Sequence, residues 1–113
     1  MKETGLYTVR DVCVLLGITR KTLFYYDHLE LVRPYQRQGT QSAKIYDEQG
    51  ITRLRKILSY KEAGLTLKEI RACLDGEYPE KDILHSAVLR MKDEKQKLEQ
   101  MIRNTEELLQ NTV

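Results

Sequence analysis

Arg20, Lys21, Phe24, Tyr25 and His28 are the residues in this chain whose types and spacing can do chemistry. On a helix of 3.6 residues per turn they share one stripe. Guanidinium and ammonium groups pair with phosphate, and side chains that reach a groove meet base edges. A helix carrying such a stripe suits the major groove of duplex DNA, which admits an α-helix and displays the base-edge code. Leu23, Tyr26 and Leu29 lie away from the stripe and are expected to pack inward. Each outward residue also has a plainer reading. Arg20 and Lys21 can be solvated charges, the tyrosines core residues, and His28 a surface residue at a helix end.

Other reactive types are sparse. Cys13, Cys73, His28 and His85 fall at no metal-ligand spacing, and two thiols make no disulfide framework. Each cysteine sits among apolar neighbours at a helical position and reads as a small buried hydrophobe. The sequence presents no nucleophile–base pair, no paired carboxylates and no phosphate-cradling glycine loop. The expectation is a binding protein, not an enzyme, with no cofactor and no metal.

The elements that would hold the stripe are marked by capping signals and hydrophobic period. Thr8 and Asp11 resemble a capping box, with the acid in place of the usual Glu or Gln, and Val9, Val12, Cys13 and Leu16 follow at helical spacing. Gly17 suits the left-handed position that ends a helix. Thr19 then caps a second helix, so that two short helices flank a tight Gly17–Ile18–Thr19 turn, the helix-turn-helix pattern. Leu31–Arg33 and Lys44–Tyr46 lean towards strand, with a polar loop between them, which predicts a two-stranded wing. Pro34 stops the first strand or puts it on an edge. Asp47 caps a third helix that runs to about Ala63 and stops at Gly64; Thr66 and Glu69 form a second capping box for a short fourth helix.

From Glu80 to Thr112 there is no Gly or Pro. Leu84, Val88, Met91, Lys95, Leu98, Ile102, Thr105 and Leu109 alternate by four and three, a seam of period 3.5. A helix with one narrow apolar stripe needs a partner. It can fold back on the head, but it is longer than a small head can cover, so pairing with a second copy is expected. Lys95 within the seam fixes register at some expense in stability.

With 113 residues the chain allows one compact domain plus an appendage, expected as 6–75 and 80–112. It has no apolar run of the roughly 20 residues that cross a bilayer and no secretory signal pattern, so a soluble, cytoplasmic protein is expected. The formal net charge is only +2, but it is unevenly spread. Residues 33–61 carry seven basic and two acidic side chains, a net of five, whereas residues 80–113 carry six and seven. A local basic excess beside a neutral partner module is the footprint of a phosphate-facing surface.

The run YTVRDVCVLLGITRKTLFYYDHLELVRP closely resembles the N-terminal signature of the MerR family of transcriptional regulators, and IYDEQGITRLRKILSYKEAGLTLKEIRACL resembles its continuation. The resemblance covers about residues 6–75. It implies a mostly α fold: a winged helix-turn-helix head with a short two-stranded wing, followed by a long antiparallel coiled-coil dimerisation helix. It implies a homodimer on a pseudo-palindromic promoter operator, which it bends and untwists. Double-stranded DNA and a second copy are the implied partners, with RNA polymerase as a further partner at the promoter and no membrane. Tyr7 and Thr8 match positions that dock on the DNA backbone, and Tyr25 and Tyr26 match a DNA-facing tyrosine pair. Arg37 matches a wing arginine directed at phosphate; Lys44 and Tyr46 match the arginine and last tyrosine of the wing motif. Arg20, Lys21 and Arg53 complete the expected phosphate contacts.

The chain departs from that pattern in places. Phe24 stands where the family usually has arginine and is expected to meet a thymine methyl. Glu30 replaces a glycine, and Ser42–Ala43–Lys44 replaces Gly-Tyr-Arg. The family commonly carries an effector domain after the coiled coil, whereas this sequence stops at Val113. Two other functions fit less well: a coiled-coil adaptor with a degenerate head, favoured by Phe24 and the altered wing, and an excisionase-like protein that bends DNA without controlling a promoter.

Overall fold

The computed structural model describes residues 5–38 and 40–113; the side chains of residues 36–38 and 40–43 lie outside that description, as does Gly39. The order is β1 (Tyr7–Thr8), α1 (Val9–Leu16), α2 (Arg20–His28), β2 (Gln36–Gln38), β3 (Thr40–Tyr46), α3 (Glu48–Glu62), α4 (Leu67–Asp75) and α5 (Glu80–Gln110).

The expected helix boundaries follow from local chemistry. The Thr8 hydroxyl accepts from the Asp11 N–H at 3.1 Å and the Asp11 carboxylate accepts from the Thr8 N–H at 2.9 Å, closing the capping box of α1. Thr19 accepts from the Thr22 N–H, Asp47 from the Gly50 N–H, and Thr66 and Glu69 close the second box. Gly17, at φ 67°, turns the chain out of α1 and straight towards α2. Such a φ is nearly strain-free for glycine and strained for most other residues.

Lys44–Tyr46 lie in β3 as expected, but the other strand differs from the expectation. Leu31–Arg33 form no strand. Leu31 and Val32 are both buried in the core, whereas successive strand residues point to opposite faces. The chain crosses the core there as a bend, and Pro34 follows. The wing is built instead from β2 and from a β3 that reaches back to Thr40, in the stretch expected to be loop. A third strand, β1, joins them in the antiparallel order β1-β3-β2, with Tyr7 opposite Tyr46.

The core gathers Val9 and Val12 of α1, Leu23 and Tyr26 of α2, Tyr46 of β3, Leu54 and Ile57 of α3, and Ile70 of α4. Leu84, Ala87 and Met91 of α5 join it, so the first three turns of α5 dock on the head. Gly64 lets α5 pass close by: a Cβ there would meet the Met91 sulfur at 3.3 Å. Beyond Met91 every residue of α5 is exposed.

Glu30, in the bend after α2, has φ 59°, a left-handed conformation that costs a non-glycine residue about 1–2 kcal/mol. Its carboxylate pairs with Arg33 at 2.9 Å, but both side chains are mostly exposed, which limits the pair to about 0–1 kcal/mol. Glycine would also lose more backbone entropy on folding. Glu30→Gly is therefore expected to raise the unfolding free energy by about 0.5 kcal/mol. Urea denaturation checks it, and a loss of stability would show that the ion pair outweighs the strain.

Candidate nucleic-acid interface

The outward face of α2 presents Arg20, Lys21, Tyr25 and His28 to solvent. Leu23 and Tyr26 turn inward into the core, as the helical period predicts. Arg20 and Lys21 occupy the first turn, where cations oppose the helix macrodipole. Among the described residues each of the other four helices places an acid in its first turn: Asp11, Glu48, Glu69, and Glu80 with Asp82. α2 has none there. Its N-terminus thus combines two side-chain cations with the positive end of a helix, a local electrostatic conflict that an incoming anion relieves. Tyr25 stands 49% exposed beside it, its ring centroid 6.0 Å from that of Tyr26.

Several residues expected at the interface are committed elsewhere. Tyr26 is only 5% exposed, and burial pushes its phenol above the ordinary value. Of the expected tyrosine pair, Tyr25 alone faces outward. Tyr7 is buried, and its hydroxyl donates to the Glu48 carboxylate at 2.8 Å, tying β1 to α3. The half-buried Thr8 spends its hydroxyl on the α1 cap. Tyr46 is fully buried in the core. Lys44 is only 8% exposed and pairs with the buried Asp27 carboxylate of α2; its ammonium lies 5.6 Å from the centre of the Phe24 ring. Lys44 is two residues before Tyr46, and strand period two sends both to the same inward face. That spacing was the sequence signal against an exposed wing cation. Phe24 itself is half-buried and packs against the core.

Arg53 turns inward too. Its Nε donates to the Leu31 carbonyl, and its guanidinium lies 3.5 Å from Asp75 of α4. Arg71 donates to the Leu29 carbonyl at 2.6 Å, so two arginines hold the bend that follows α2. No sequence pattern marks them, because their partners are backbone carbonyls 22 and 42 residues away. The Arg37 side chain lies outside the described residues. Arg10 and Arg55 are exposed and contribute further positive charge.

The seam residues of α5 divide into two groups. Leu84 and Met91 pack against the head, a correction to their expected place between two copies. Arg90 fastens the same segment, reaching Glu69 at 2.8 Å, the Gly64 carbonyl at 3.2 Å and Glu94 at 3.0 Å. Burial pushes the Glu69 carboxyl up, but the hydrogen bonds from Arg90 and Thr66 outweigh it and leave the group below its ordinary value. Tyr60 donates to Glu80 at 2.8 Å, and burial together with that bond pushes its phenol up to about 12. Burial likewise raises the half-buried Cys73 thiol, which favours the uncharged form. Val88, Leu98, Ile102 and Leu109 are exposed, at 44%, 55%, 50% and 72%. The Thr105 hydroxyl donates back to the Met101 carbonyl.

Residues 7–77 match the sequence model of the MerR HTH family regulatory proteins. The HTH-type transcriptional activator mta of Bacillus subtilis is 31% identical over 104 residues, which cover 91% of this chain and 40% of that protein. The HTH-type transcriptional activator TipA of Streptomyces coelicolor is 36% identical over 69 residues, 61% of this chain and 27% of that protein. The chain thus spans less than half the length of either relative. Among solved structures, the N-terminal part of the Bacillus subtilis multidrug transporter activator, MtaN, superposes with a TM-score of 0.77 at 31% identity. That match covers 91% of this chain and 97% of that one. HiNmlR, a MerR family regulator lacking the sensor domain and bound to promoter DNA, shares the fold at 18% identity. Its TM-score is 0.54, with 92% of this chain and 78% of that one covered.

Proposed function

The chain belongs to the MerR HTH family of regulatory proteins, and from that premise we propose that it is a homodimeric, sequence-specific, DNA-binding transcriptional regulator. Two heads, joined through the distal halves of two α5 helices packed antiparallel, bind a pseudo-palindromic promoter operator in the cytoplasm and distort it, with RNA polymerase as the neighbour on the same promoter. In each head α2 enters the major groove; Arg20 and Lys21 neutralise phosphates, and Tyr25 meets the groove beside them. The observation that carries this reading is the N-terminus of α2, where two cations, one turn before the exposed Tyr25, sit on a helix end that lacks the acid found at the other helix starts.

The α5 stripe supports the dimer. Leu84, Met91, Leu98, Ile102 and Leu109 lie on one side of the helix, but the head covers only the first two. The described residues contain no helix long and apolar enough to cross a membrane. The adaptor alternative is not favoured over a DNA-binding head: Phe24, which first pointed that way, packs against the core, and Lys44 of the altered wing is buried beside it.

A regulator making roughly 6–10 phosphate contacts per dimer loses about 10³–10⁵ in affinity between 50 and 200 mM salt. That fall is the expected result when promoter fragments recovered by the protein from its source DNA are titrated by fluorescence anisotropy. A response that stays nearly flat across the range would favour the adaptor.

A further inference from the structure

Lys44 and Asp27 place a buried ammonium and a buried carboxylate between the wing and the recognition helix, with the Phe24 ring against the ammonium. We propose that Phe24, Asp27 and Lys44 act as a clamp that sets how β3 of the wing sits against α2, so that Phe24 is a positioning residue and not a reader of bases. The proposal rests on the DNA-binding reading of the head for its consequence, but not for its geometry.

Two observations carry it. First, the pair is deeply enclosed, with side chains only 10% and 4% exposed. A buried ion pair is often no more stabilising than apolar residues of the same volume, but breaking one partner away is strongly unfavourable. Such a pair therefore discriminates between arrangements better than it adds stability. Second, β3 is paired regularly only at its C-terminal end, where Tyr46 and Ile45 face Tyr7 and Thr8 of β1. β2 and β3 pair irregularly, with a shift between Gln36 and Gln38. A one-residue slip of β3 would turn Lys44 out of the core, leave Asp27 without that ammonium, and turn Tyr46 outward as well. The β1 pairs oppose that slip at Ile45 and Tyr46, and the clamp opposes it at Lys44, where the β2–β3 ladder is irregular.

Phe24 lies one turn before Asp27 on α2, so the ring and the carboxylate meet the same ammonium. The face of an aromatic ring attracts a cation within about 6 Å of its centre. A ring held against Lys44 is poorly placed to reach a thymine methyl as well. Reader and positioner therefore predict different results.

The test uses Phe24→Leu, Lys44→Met and the double variant in the full chain. Urea unfolding of the four proteins is expected to show non-additivity of about three- to tenfold in the folding equilibrium constant. Phe24→Tyr, which keeps the ring face, should retain the coupling with Lys44. Strictly additive effects would overturn the clamp whether or not the protein binds DNA. The second arm uses duplexes that the parent selects from a random library, each also prepared with single base-pair substitutions. Phe24→Leu is expected to weaken all of them by about the same factor, roughly tenfold, and to leave the order of preference intact. Hydroxyl-radical protection should fade at the wing and persist under α2. Lost discrimination at one base pair with wing protection intact would make Phe24 a reader and overturn the proposal. Failure of the parent to select any duplex would count against the DNA-binding reading, and the unfolding cycle would then decide the clamp alone.

Discussion

Ile102→Asp is expected to sediment as a monomer near 13.3 kDa under conditions where the parent sediments at twice that mass. Ile102 sits 50% exposed on a part of α5 that the head does not cover, in line with Leu98 and Leu109. Full burial of each such side chain is worth about 1.5–3 kcal/mol, and in a symmetric antiparallel pair each position counts twice. A carboxylate at the seam forfeits that burial and adds two partly desolvated charges, with Lys95 two turns away as the cation in line. A penalty of about 5 kcal/mol or more per dimer follows, which raises the dimer dissociation constant at least 1,000-fold. The substitution leaves the head alone, because α5 packs on it only as far as Met91. Unfolding of the head should therefore change little. Operator affinity should fall by about 100-fold or more, since the second half-site no longer binds as part of a tethered unit. Arg103 and Lys95 lie within one to two turns of Ile102, so Ile102→Asn is the companion variant that carries no charge for them to pair with.

Arg20→Ala with Lys21→Ala is expected to lower operator affinity by roughly 100-fold per head, counting about 1.5 kcal/mol for each charge-assisted phosphate contact. The opposite sign is expected for stability. Both cations sit at the positive end of α2, whose first turn holds no acid, so their removal should leave the fold unchanged or stabilise it by about 0.3–1 kcal/mol each. Function and stability moving in opposite directions mark residues kept for a ligand. Were Arg20 and Lys21 only solvated charges, affinity would hold while stability rose.

How far the sequence reveals this molecule depends on the range of the forces involved. The helices were legible because their caps are local: Thr8 with Asp11, Thr19 with Thr22, and Thr66 with Glu69 each act within three residues. The apolar stripe of α5 was legible for the same reason. Its division into a docked and a free part was not, because it depends on Gly64, Glu69 and Arg90 meeting across 21 to 26 residues. Lys44–Tyr46 was legible as the end of β3, but β2 and the start of β3 were missed because Gln36–Gln38 and Thr40–Ser42 are polar and show no apolar alternation. The site was half legible. Helical period separated Tyr25 from Tyr26 and set Arg20 and Lys21 outward. Family likeness pointed Tyr26, Lys44 and Tyr46 towards DNA, and the structure buries all three. For Lys44 the decisive partner, Asp27, lies 17 residues away on another element, and only the common face with Tyr46 hinted at it.

The central claim is that α2 delivers its two first-turn cations to phosphates. The most direct measurement is the slope of log affinity against log salt for the parent and for Arg20→Ala with Lys21→Ala, on one duplex. Each phosphate contact contributes about 0.9 to that slope, so the variant dimer should be shallower by about 3–4. Parallel lines displaced or superimposed would mean that these side chains touch no phosphate, and the proposed interface would be in the wrong place.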